Sequence, residues 1–88
     1  MTLTWAYLDS LPDADAIAQA LREAGIKGKR GHCTECPLAR ATGYYVRHSW
    51  RVRSLWLGLP REDTTLAEMR FQGRFDSGHY SDLEEDHG

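Results

Sequence analysis

Long apolar runs are absent from this chain. None approaches the ~20 residues that a membrane-spanning helix needs, and the longest clean stretch near the start covers only residues 5 to 8. No basic segment precedes that stretch, so no secretory signal is expected and the protein reads as cytoplasmic, with no membrane partner. Cysteine is scarce too. The two present, Cys33 and Cys36, lie three positions apart, whereas a short secreted chain spreads about four to eight along its length as a covalent frame. A bond between them would close too small a loop to restrain the unfolded chain. A large charge of one sign is also missing: the formal net charge is −2 and the pI about 6.0, which excludes coating nucleic acid or membrane by bulk charge. Catalytic signatures are lacking. There is no Gly-framed serine, no phosphate-cradling glycine loop and no His-Glu metal helix. A chain of 88 residues also leaves little depth for a concave site. Neither an enzyme nor a cofactor is expected.

The composition, 41% hydrophobic and 27% charged, is too apolar for a disordered chain and suits one small domain. Residues 2 to 8 (TLTWAYL) alternate Leu3, Trp5 and Tyr7 with Thr2, Thr4 and Ala6, which predicts a short strand. Asp13 caps a predicted helix running to about Ala24, with Ile17, Leu21 and Ala24 at helical spacing. Gly25 stops it, and Ile26 folds back on its last turn. A flexible basic link, Gly28 to Gly31, leads to a turn at residues 32 to 36. There Cys36 and Pro37 open a short helix through Ala41.

Residues 44 to 57 are aromatic and β-branched and read as one strand or two, with a turn near His48 and Ser49. Neither Gly nor Asn marks that turn, so a helix continuing from Pro37 to about Val46 is the alternative. Within the strand reading, Trp50, Val52 and Trp56 share one face, expected to be the core, and Arg51 and Arg53 the other. Past Gly58 and Pro60, Thr65 with Glu68 forms a capping-box pattern opening a last helix, with Ala67, Phe71 and Phe75 in one stripe. The expected fold is therefore α+β. It is a single domain over residues 1 to 81 with an N-terminal helix, a short central β element (hairpin or small sheet) and a C-terminal helix. Residues 82 to 88 follow as an acidic tail, flexible and dispensable for folding.

The pieces that run in order along the chain are an Ala-Gly-Ile helix end at residues 24 to 26, Cys-Pro-Leu-Ala-Arg at 36 to 40, Leu59-Pro60, and Phe-Asp-Ser-Gly-His-Tyr at 75 to 80. Together they resemble small proteins of actinobacteria and their phages that have no assigned activity. The resemblance implies architecture and cellular context alone. This chain departs from that pattern in having a shorter stretch between the Cys-Pro helix and the Leu-Pro, which bears on the number of strands.

Two thiolates separated by two residues can chelate zinc, but a tetrahedral site needs two more ligands. His48 stands near the distance of a third, positions 52 to 54 hold no histidine, and Cys33, Cys36 and His48 remain weak metal candidates. A thiol-redox role meets a geometric objection. In thioredoxin-like sites the first cysteine caps the helix, whereas here Pro37 puts the second at the cap. Charge placement is more telling. Residues 27 to 53 carry seven Lys and Arg against Glu35 alone, a balance of +6, between flanks of −3 and −5. Either the flanks neutralise the middle within one domain, or Tyr45, Arg47, Arg51 and Arg53 form an exposed binding surface. Three Trp and four Tyr exceed what a small core buries easily, and Trp, Tyr and Arg anchor interfaces. The reading is a non-catalytic regulatory protein, with phage descent among the origins the resemblance allows, that docks on another protein through that surface. The alternatives are a small DNA- or RNA-binding module using the same residues, and a thiol-redox or zinc protein using Cys33 and Cys36.

Overall fold

The computed structural model describes residues 3 to 32, 34 to 54 and 56 to 85. Its first element is a correction. Residues 5 to 9 form a helix, α1 (Trp5–Asp9), where alternation predicts a strand. Thr4 acts as its cap, with Oγ1 accepting from Tyr7 N at 3.2 Å, and Trp5 and Leu8, one helical turn apart, are both buried. Helix α2 (Ala14–Glu23) is as expected: Asp13 Oδ1 accepts from Ala16 N at 2.8 Å. At its end Gly25 takes φ +71° and Ile26 N donates to Leu21 O at 3.0 Å, the glycine stop with a folded-back apolar residue.

Helix α3 (Pro37–Thr42) opens on Cys36, whose Sγ accepts from Ala39 N at 3.4 Å. It ends at Gly43, left-handed at φ +78°, so it does not reach Val46 and the strand reading of the next segment holds. Three short antiparallel strands follow in the order β1 (Tyr45–Val46), β2 (Trp50–Val52) and β3 (Glu62–Asp63). Tyr45 pairs with Val52, Val46 with Arg51, and Arg51 with Glu62. Helix α4 (Leu66–Asp76) carries the expected capping box, with Thr65 Oγ1 accepting from Glu68 N and Thr65 N donating to Glu68 Oε1. A 3-10 turn (Ser81–Leu83) closes the described chain. The fold is thus α+β, with helices near both ends and the sheet between them. Among the described residues no helix is long and apolar enough to cross a membrane.

The core lies between the helices: Leu8, Ile17, Leu21, Leu38, Phe71 and Phe75 are fully enclosed, and Phe71 stacks on Phe75 and on Tyr80. Leu83, inside the expected tail, belongs to it as well. Glu84 pairs in parallel with Gly28, and Glu85 N donates to Gly28 O at 2.8 Å. Residues 86 to 88 lie outside the described residues.

Candidate docking surface

The short strands decide which side chains face where. Directly paired residues share a face of the sheet, so Val46, Arg51 and Glu62 lie on one side and Tyr45, Val52, Trp50 and Asp63 on the other. The first side carries Val46 and Arg51 inward, and on the second Val52 is enclosed too. The expected alternation is right in separating Trp50 and Val52 from Arg51 and in burying Val52, and wrong in leaving Arg51 outside. Arg51, expected exposed, is 4% exposed. Its guanidinium reaches Asp9 and Glu68 at 3.0 Å and Glu62 at 3.1 Å, and it lies 3.9 Å above the centroid of the Trp5 ring. A cation so surrounded is stable inside. Burial works against its charge, but the hydrogen bonds and field of Asp9, with Glu62 and Glu68, outweigh that and raise its pKa. Arg51 is therefore a structural residue of the interior.

On the outer side Tyr45 stacks on Trp50 with ring centroids 5.8 Å apart, and Arg61 lies 4.1 Å from the Trp50 centroid. Arg47 Nη1 reaches Tyr45 Oη at 3.4 Å. Strand β2 stops at Val52, so Trp56 is not subject to its alternation. It stands on a turn completed by Gly58 at φ +62°, and instead of joining the core it is 96% exposed, with Leu57 beside it 68% exposed. Leu55 lies outside the described residues. Trp56, Tyr44, Tyr45, Arg53 and Ser54 line a groove of about 410 Å3 that runs against Ala39 and Gly43 at the end of α3.

The charge blocks resolve in the same direction. Lys29 meets Glu85 as well as Glu35 of its own block, Arg30 meets Glu84, Arg40 meets Glu85, and Arg51 its three acids, so much of the basic middle is neutralised by the flanks. Arg53 and Arg61 make no carboxylate pair among the described residues. Of the residues read from sequence as a surface, the structure keeps Tyr45, Arg47 and Arg53 outside and takes Arg51 away. It adds Trp56, whose assignment to the core rested on extending a strand beyond its end. Of the metal candidates, Cys36 and His48 line one cavity and Cys33 lies outside the described residues. No cluster of three His, Cys, Asp or Glu among the described residues is placed to hold a metal ion. Compared with protein-family models, curated proteins and solved structures, the chain matches none.

Proposed function

We propose that this chain is a small non-catalytic protein that docks on another protein through the Trp56 groove. The observation that carries this is Trp56 itself. An indole almost wholly in water, next to an exposed leucine and a groove, forgoes roughly the 1.5–3 kcal/mol that enclosing a large apolar side chain returns. The partner's chemistry follows from the surroundings: an apolar side chain for the groove, flanked by a carboxylate for Arg53. Leu57 favours a protein over a stack of bases, and the Trp50 face is already covered by Arg61. A regulatory role in the cytoplasm, on a protein of the cell or of its phage, agrees with the size of the domain and with the resemblance in its sequence.

The test compares the wild-type chain with Trp56→Ala and Arg53→Ala. Each substitution is expected to leave unfolding within about 1 kcal/mol, as at other exposed positions, and to weaken the captured protein's binding by about tenfold or more. Unchanged affinity in both variants moves the surface elsewhere. Capture that disappears on nuclease treatment, with a steep salt dependence, selects the nucleic-acid reading instead.

A further inference from the structure

Helix α4 is patterned on its solvent side as well as on its core side. Phe71 and Phe75 are enclosed, while Leu66, Met69, Arg70, Gly73 and Ser77 line a groove of about 400 Å3 that shares no lining residue with the Trp56 groove. Their positions, 3, 4, 7 and 11 residues beyond Leu66, are those of a seam at which one helix meets another. Leu66 is 57% exposed. Gly73 is the informative residue. Its backbone is helical, without a positive φ, and a Cβ there would meet only His48 Nε2 among the described residues, at 3.7 Å, an ordinary contact. The fold has room for a side chain. Glycine is the least favourable residue inside a helix after proline, so its presence lowers the stability of α4 with no gain in the chain's own packing. What the missing side chain provides is depth: a second helix laid along the groove can bring its backbone close.

The rim gives the sign of the partner's charge. Arg70 is exposed and has no carboxylate partner among the described residues. Arg74, one turn on, meets Asp15 at 3.6 Å with both side chains well in water. The two acids of α4 are engaged elsewhere: Glu68 is enclosed beside Arg51, and Asp76 Oδ1 accepts from Gly31 N. With His48 and His79 the walls carry guanidinium and imidazole N–H donors and, among the described residues, no carboxylate. A nucleic-acid strand would leave the apolar floor unused and would find no Tyr, Trp or Phe in the lining to stack on. A bilayer surface calls for apolar side chains that project, whereas this face is recessed at Gly73. An apolar stripe flanked by carboxylates is the complement. We infer that the groove along α4 docks an acidic amphipathic helix of a partner protein, its apolar residues over Gly73 and its carboxylates on Arg70 and Arg74.

Two-dimensional NMR of the full chain tests this with synthetic peptides of about four helical turns that carry leucine at helical spacing, with glutamate at the remaining positions of one and glutamine in the other. The glutamate peptide is expected to give saturable shifts of the Gly73 amide and the Met69 methyl, and the glutamine peptide to bind about tenfold more weakly. Gly73→Gln is expected to weaken the glutamate peptide by about tenfold or more while the chain unfolds at the same temperature or higher, since glutamine is the better helix former. A glycine with a merely structural role would not split the two readouts in that way. Should that variant not fold, Arg70→Gln, at an exposed and unpaired position, takes its place with the same loss expected. Absence of saturation, equal binding of the two peptides, or full affinity in the folded variant overturns the site. So does a response confined to phosphatidylglycerol vesicles or to a single-stranded oligonucleotide, or shifts of the same nuclei on concentrating the protein alone, which would give the groove to a membrane, a nucleic acid or a second copy. Trp56→Ala is expected to bind the glutamate peptide as the wild type does; a loss there would place the peptide in the Trp56 groove and overturn this one.

Discussion

At Arg51 a single guanidinium faces three carboxylates, of which Asp9 and Glu62 reach solvent and Glu68 does not. Glu68 is the costliest of the three to ionise, since it is fully buried and its Oε2 has no hydrogen-bond partner among the described residues. Burial first, and then the neighbouring Asp9 carboxylate, push the Glu68 carboxyl up to about 7. Asp9 moves oppositely: burial opposes its charge, but hydrogen bonds from Arg51 and Glu68 lower it below its ordinary 3.8. Between the unfolded value of 4.5 for Glu68 and its native value of about 7, the folded chain binds more protons than the unfolded one. Glu68 thus contributes stability that is complete below 4.5 and is lost as pH rises through about 7, while Asp9 acts in the opposite sense below 3.8. Urea unfolding is expected to show stability falling from about pH 5 to about pH 8. Glu68→Gln, which retains the carbonyl acceptor for Thr65 N, is expected to flatten that fall; an unchanged slope assigns the titration to another group. Arg51→Ala is expected to cost about 3–5 kcal/mol near neutral pH, because it removes a buried cation and leaves Glu68 inside without it. A loss within about 1 kcal/mol, the range of exposed ion pairs, would mean that the acids neutralise without it.

Single elements were legible where a side chain acts on its own backbone. Asp13, Gly25, Cys36, Pro37, Thr65 and Glu68 each perform the local task their residue type suits, and α2, α3 and α4 start or stop there. Elements set by tertiary contacts were not. Helix α1 is five residues long, too short for periodicity to separate from alternation, and β3 is two exposed acids with no pattern to read. The direction of β2 depends on carboxylates from α1, β3 and α4 meeting Arg51, which no local rule contains. Gly28 illustrates the same point. In the sequence it belongs to a flexible link, yet a Cβ there would lie 2.4 Å from Pro37 N and 2.5 Å from Glu35 O. Both obstacles are backbone atoms and cannot swing aside. Gly28→Ala is expected to lower stability by roughly 1–3 kcal/mol or more, the range of overpacked sites. Thermal unfolding of the variant unchanged from wild type would show that the 28 to 37 segment yields freely.

Across the whole molecule the acidic end closes over the basic middle. The blocks of charge were visible in the sequence, but which block holds which, and whether contact is by charge alone, was not. The structure places Leu83 between them: it sits in the core at 1% exposure, while Asp82 pairs with Arg22, Glu84 with Arg30 at 2.7 Å, and Glu85 with Arg40 at 3.1 Å. These ion pairs are largely solvated, and each is worth ~0–1 kcal/mol. An enclosed leucine is worth more, about 2–5 kcal/mol by comparison with Leu→Ala in cores. The apolar contact therefore dominates the closure, and the charges mainly orient it. Cutting the chain after Ser81 is expected to lower stability by about 3 kcal/mol or more, a large share of what small domains possess. Leu83→Ala in the full chain should reproduce most of that loss, whereas Asp82→Asn with Glu84→Gln should reproduce little. If the double charge variant is as damaging as truncation, and Leu83→Ala is mild, electrostatics closes the molecule. Raised salt would then destabilise the wild type to the same extent.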